Sequence, residues 1–193
     1  MKDITENEIN FILTILKNPD QEINARSISK IISITPMGSL KIARKLEKEG
    51  IISSKPIGRA IIFKLNLDKD YVKQYVKFLL KREAEYSTAY VKRWITELKK
   101  IRKSEIIVLF GSVLKKDREA NDIDALIVVK KANLNNVEKE IEEINLLNKN
   151  KIHPIFQTKE DLKRNIKSLD KVMLNAIKGI VVLGEEKIIE AIK

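Results

Sequence analysis

The stretch that most restricts this chain's fold is LFGSVLKKDREANDIDALIVV, residues 109–129. Two apolar runs, Glu105–Phe110 and Ile123–Val129, flank a polar loop. Runs of this length, rich in Ile, Val and Leu, predict buried strands. The sequence that follows alternates in kind. Leu134–Asn148 reads as a helix, and Ile152–Gln157 as a strand whose Pro154 places it at an edge or a strand start. Lys159–Asn165 and Leu169–Lys178 read as helices, GIVVLG at 179–184 as a short strand, and EEKIIEAIK as a closing helix. Residues 104–193 are therefore expected to form an α/β unit.

The polar loop opens on Gly111-Ser112 and closes on Asp122-Ile123-Asp124. Glycine lets a ligand approach the backbone closely. Backbone N–H groups and the Ser112 hydroxyl at such a turn can hold phosphate oxygens. Asp122 and Asp124 sit at i and i+2 of a strand and so point to one face, while Ile123 points into the core. A solvated turn entering a strand would also accept these residues. Paired carboxylates on one face, however, are hard oxygen donors suited to Mg²⁺ or Mn²⁺ shared with substrate phosphates. Two such ions can clamp the attacking and leaving oxygens of an in-line displacement.

Gly-Ser, a nine-residue gap and Asp-Ile-Asp before an apolar strand resemble the signature of the DNA polymerase β nucleotidyltransferase superfamily. The similarity is greatest to minimal nucleotidyltransferases, including an archaeal group in which a winged helix precedes that domain. It covers about residues 90–190. It implies a mixed sheet with helices, Gly111 and Ser112 on nucleotide phosphates, and Asp122 and Asp124 as catalytic ligands of Mg²⁺. It also implies an NTP substrate and, for some relatives, a HEPN-type toxin as protein acceptor. The superfamily usually adds a third carboxylate from a neighbouring strand. Here that strand is expected to be KIHPIFQT, where His153 stands in the place of an acid. Glu160 and Asp161 follow it as helix-start residues, and Glu119 is a further loop acid.

The N-terminal segment has a different pattern. Ile9, Ile12, Leu13 and Leu16 recur at helical spacing until Asn18-Pro19-Asp20 interrupts them. Asn24 is an N-cap candidate for a helix with Ala25, Ile28, Ile31 and Ile32 on one face. After Ser33–Pro36, a third helix carries Leu40, Ile42, Ala43 and Leu46 and stops at Gly50. IISSKPIGRAIIFKLN then reads as a hairpin with its tip at Pro56–Arg59. Residues 5–67 thus resemble the winged-helix DNA-binding domains of prokaryotic regulators. On that resemblance the third helix enters a major groove, presenting Ser39, Lys41, Arg44, Lys45 and Lys48. Lys55 and Arg59 on the wing reach backbone phosphates of double-stranded DNA. A structural or protein-binding winged helix is the alternative.

Residues 71–103 contain no Gly or Pro, and Val72, Tyr75, Val76, Leu79, Tyr86, Tyr90, Trp94, Leu98 and Ile101 recur at threes and fours. They predict one long connecting helix, or two with a break near Ser87-Thr88. Its apolar face serves either core packing or a homodimer seam. The expected division is therefore 1–70 winged helix-turn-helix, 71–103 connecting helix and 104–193 nucleotidyltransferase-like domain. Of the net charge of +11, residues 71–103 hold +7, from ten basic and three acidic groups. A basic stripe of this kind is the usual footprint of a polyanion partner.

The absence of cysteine excludes disulfides, a thiolate nucleophile and cysteine zinc sites. The polar MKDITENEIN start is unlike a secretory signal, and no apolar run reaches the ~20 residues of a membrane helix. A cytoplasmic protein is expected, and the Lys, Glu and Ile bias points to an archaeal or thermophilic host. Two functions follow: a metal-dependent nucleotidyltransferase with a DNA-binding winged helix, or a DNA-binding regulator that senses nucleotides without turnover. A structural protein dimerising through 71–103 is a third.

Overall fold

The computed structural model describes residues 4–193, and residues 1–3 of the polar N-terminal stretch lie outside it. The chain divides into two compact units, one ending at Leu79 and the next beginning at Leu80. No helix among the described residues is long and apolar enough to cross a membrane.

The first three helices of the first unit each begin where a side chain satisfies free N–H groups. Helix α1 (Glu6–Lys17) opens on a reciprocal cap: Glu8 N–H donates to Thr5 Oγ1, and Thr5 N–H to Glu8 Oε2. Asn24 caps α2 (Ala25–Ile31) by accepting from Arg26 and Ser27. Thr35 caps α3 (Pro36–Lys48), whose first residue is proline, the position where a missing N–H costs nothing. Helix α3 ends at Gly50, whose φ of +70° would strain any other residue.

Strands β1 (Ile52–Ile57) and β2 (Ala60–Leu65) pair antiparallel, with Ile57 opposite Ala60. The turn is therefore only Gly58-Arg59, and Pro56 belongs to the strand rather than to the tip. The element order, three helices and a hairpin, is that of a winged helix. Phe11, Ile12, Leu16, Ile28, Leu46, Ile52 and Phe63 form its interior, with the Phe11 and Phe63 rings 5.7 Å apart.

Of the two readings of 71–103, the structure has the broken one: α4 (Asp70–Glu85) and α5 (Ala89–Leu98) are separated at Tyr86–Thr88, and residues 99–103 are not helical. The break has a local cause. Ser87 Oγ donates to the Ala84 carbonyl at 2.6 Å, and Thr88 turns extended and accepts from Val91 N–H at 3.3 Å. The boundary between the two units falls inside α4.

The second unit is built on four strands, β3 (Ser104–Phe110), β4 (Asp122–Val129), β5 (Lys151–Gln157) and β6 (Ile180–Leu183). Their order is β5-β4-β3-β6. Strand β3 pairs antiparallel with β4 and β6, while β4 and β5 are parallel, so the sheet is mixed. On one face Ile107 and Leu109 of β3 and Ile123, Ala125 and Ile127 of β4 pack with Trp94 and Leu98 of α5. A single-turn helix, α6 (Val113–Lys116), lies between β3 and β4. Val137, Ile141 and Ile144 of α7 (Leu134–Leu147) complete the packed layer. Three short helices, α8 (Lys159–Lys167), α9 (Lys171–Ala176) and α10 (Glu185–Ile192), pack against β3, β4 and β5. Alternation along β4 then decides what the site exposes. Leu126 and Val128 are fully buried, whereas Asp122 and Asp124, on their face of the strand but earlier in it, remain half-exposed.

Candidate functional site

Strand β3 ends at Phe110, whose Cα partner on β4 is Asp124. The chain then turns through Gly111 and Ser112 into α6. Gly111 has a φ of +81°, and a Cβ placed on it would lie 2.0 Å from Asp124 Oδ2. Glycine is thus required twice over, by the backbone and by the carboxylate packed against it. Ser112 is helical at φ −65° and ψ −30°, and its hydroxyl makes no capping bond to α6. It differs in this from Thr88 and Thr158, whose hydroxyls are committed to their helices.

The loop continues through α6 and a 3₁₀ turn, Asp117–Glu119, on which Glu119 is exposed. Asn150 Nδ2 donates to the Ala120 carbonyl and ties the loop's end to the start of β5. Asp122 and Asp124 then share one face of β4, two residues from each other. On the parallel neighbour β5 the register places Lys151 beside Asp122 and His153 beside Asp124. His153 Nδ1 lies 3.4 Å from Asp122 Oδ2. Glu160 and Asp161 belong to α8. Asp161 takes a hydrogen bond from the Thr158 hydroxyl and pairs with Arg164, and these hold its carboxyl below the usual range.

These residues fit a divalent cation in one specific sense. No group of three or more His, Cys, Asp or Glu side chains among the described residues is gathered closely enough to hold a metal by itself. The two aspartates supply carboxylate oxygens beside the Gly111 turn, and paired carboxylates of this kind suit a divalent cation that takes its remaining ligands from elsewhere.

The first unit places the other nominated residues unevenly. Met37, Lys41, Arg44 and Lys48 form an exposed stripe along α3 at helical spacing, and Lys55 and Arg59 are exposed on the hairpin. Ser39 does not belong to that face. It is fully buried, its hydroxyl without a hydrogen-bond partner, because it lies on the side of α3 that carries Ala43 and Leu46. Lys45 is engaged with Glu8 at 2.6 Å. Burial works against the Glu8 charge, but the bonds from Lys45 and from Thr5 N–H outweigh it and hold the carboxyl below its ordinary value. Lys45 is raised by the same ion pair.

No curated protein matches the chain. Among solved structures, a cysteine-to-serine mutant of Lactococcus lactis ZitR matches at 15% identity and a TM-score of 0.33, over 51% of this chain and 73% of that one. The same mutant in complex with DNA matches at 14% identity and 0.31, over 50% and 71%. The zinc-dependent MarR family transcriptional regulator AdcR in its Zn(II)-bound state matches at 16% and 0.28, over 51% and 76%. Residues 92–178, the span from α5 through α9 that carries Gly111, Ser112, Asp122, Asp124 and His153, match the family model described as Polymerase beta, Nucleotidyltransferase.

Proposed function

We propose that the chain is a divalent-metal-dependent nucleotidyltransferase that transfers a nucleotidyl group from an NTP to an acceptor hydroxyl, with a winged helix that binds double-stranded DNA. One observation carries the first half. The turn at Gly111-Ser112 abuts the carboxylate of Asp124 so closely that no side chain fits between them. A phosphate-binding turn and a carboxylate pair are of use together only where phosphate and cation meet. The match of residues 92–178 to a nucleotidyltransferase family supports the same reading.

Each residue has a distinct task. Gly111 leaves the backbone open to a phosphate, and the uncommitted Ser112 hydroxyl donates to it. Asp122 and Asp124 hold the cation, Mg²⁺ or Mn²⁺, and their half-exposure lets it arrive with its nucleotide. When bound, the cation would offset charge on the phosphates during displacement. Ile123, fully buried between the two acids, fixes both on one face.

DNA binding rests on the stripe Lys41, Arg44 and Lys48, with Lys55 and Arg59 on the wing positioned for phosphates. A HEPN-type protein acceptor and a homodimer belong to the same reading. A nucleotide-sensing regulator without turnover is favoured by one observation, the histidine where a third acid is usual.

The deciding experiment incubates the purified protein with each labelled NTP, Mg²⁺ or Mn²⁺ and a cell lysate, beside the Asp122→Asn/Asp124→Asn variant. Label transferred to a macromolecule by the wild type alone is the expected result. Metal-dependent NTP binding without transfer selects the sensing regulator, and NTP binding unchanged in the variant overturns the site.

A further inference from the structure

His153 is the one histidine of 193 residues, and it stands beside the paired carboxylates of the open turn. In the parallel register of β4 and β5, His153 is the Cα partner of Asp124, so its side chain projects from the same face as both aspartates. Its imidazole Nδ1 reaches Asp122 Oδ2 at 3.4 Å. The pair is exposed, 60% for the histidine and 46% for the aspartate, and a polar contact so wet adds little to stability.

A second observation concerns what does not approach the acids. Lys151 is the Cα partner of Asp122 and could neutralise it. Its ammonium instead donates to the carbonyls of Asn145 and Asn148 at the end of α7, the latter at 2.8 Å. Among the described residues neither aspartate pairs with a lysine or an arginine. The strand next to the acids thus withholds its cation and presents a nitrogen donor in its place.

We propose that His153 is the third protein ligand of the cation held by Asp122 and Asp124, and that this nitrogen makes the site select Mn²⁺ or another first-row transition ion over Mg²⁺. The proposal rests on the metal-dependent reading of the site and assigns its cation. The three side chains are not gathered about one point: Asp124 lies against Gly111, and the exposed Asp122 and His153 are free to turn toward an ion beside it. Mg²⁺ prefers oxygen ligands and retained water, whereas imidazole suits transition ions. One imidazole added to two carboxylates therefore shifts the balance between ions without altering the grip on phosphate.

The test measures the metal directly. Mn²⁺ binding to the full chain is followed by electron paramagnetic resonance, with inorganic triphosphate present to supply phosphate oxygens and no nitrogen. Electron spin echo modulation then reports whether a ¹⁴N nucleus is coordinated. Wild type should show imidazole nitrogen coupling that His153→Ala lacks. In His153→Asp, which restores an all-oxygen set, the ratio of Mn²⁺ to Mg²⁺ affinity should fall about tenfold or more. Saturable Mn²⁺ binding that needs Asp122 and Asp124 but shows no nitrogen coupling overturns the assignment of His153 and leaves the metal site standing. Wild type and the Asp122→Asn/Asp124→Asn variant binding Mn²⁺ alike overturns both.

Discussion

A methyl group on residue 111 would occupy space now held by the Asp124 carboxylate. Gly111→Ala also forces an alanine into the left-handed region, which costs about 1–2 kcal/mol by itself. The variant should unfold at lower temperature and lose metal-dependent NTP binding, as thermal melting and equilibrium binding would show. If binding survives intact, the turn does not face the phosphates. A second residue-scale prediction concerns Glu8. Its folded pKa is depressed, so its contribution to stability is present above the unfolded value and is lost as pH falls through the lower folded value. Wild type should therefore lose stability relative to Glu8→Gln as the solution is acidified from about pH 5 through the range below about pH 4.3, the ordinary value for Glu. Urea titrations at several pH values would measure the difference. Lys45 works in the opposite sense, because its raised pKa gives stability below its unfolded value that is lost as pH rises through the folded one.

At the scale of elements, two hydroxyls mark the break between α4 and α5, Ser87 closing the first helix and Thr88 capping the second. Thr88→Ala removes the acceptor for Val91 N–H and should cost about 1 kcal/mol, read from chemical denaturation. Trp94 is fully buried under the sheet, and Trp94→Ala should cost about 3–5 kcal/mol by the same measurement. These elements also show what the sequence made legible. Strands β3 and β4 were readable because an apolar run with no polar interruption has few other uses. The face shared by Asp122 and Asp124 followed from a period of two along one strand. The α4–α5 break was one of two readings, because apolar spacing continues across it and only cap geometry separates the helices. Register between strands was not legible at all. That Lys151 falls beside Asp122 and His153 beside Asp124 depends on where β5 docks, and pairing between distant segments leaves no trace in either one. Ser39 failed for a related reason. Its helical phase puts it on the packed side of α3, and a small polar residue gives no warning of burial.

Over the whole molecule, charge and chemistry occupy different stretches of chain. Residues 71–103 hold net +7, and residues 104–193 carry sixteen basic against fifteen acidic groups, net +1. On the winged-helix reading, duplex binding should depend on the exposed α3 stripe of Lys41, Arg44 and Lys48 and not on the carboxylates. Lys41→Ala with Arg44→Ala should weaken binding at every sequence and lower the salt slope by about one for each phosphate no longer neutralised. Asp122→Asn should leave that slope unchanged, and fluorescence anisotropy at graded salt would compare the two.

The position of β5 bears on how this molecule behaves in a crowded solution. An open sheet border offers backbone donors and acceptors to any extended chain that drifts past, and from such borders fibrils grow. Here the border strand carries Pro154 in its middle, so one donor is missing where a foreign strand would need an unbroken row. The opposite border is β6, only four residues long. A sheet whose interior is among the most apolar parts of the chain is thereby closed to templated growth at one side by a ring and at the other by brevity, and it can keep its carboxylates open to water without inviting a neighbour to pair beside them.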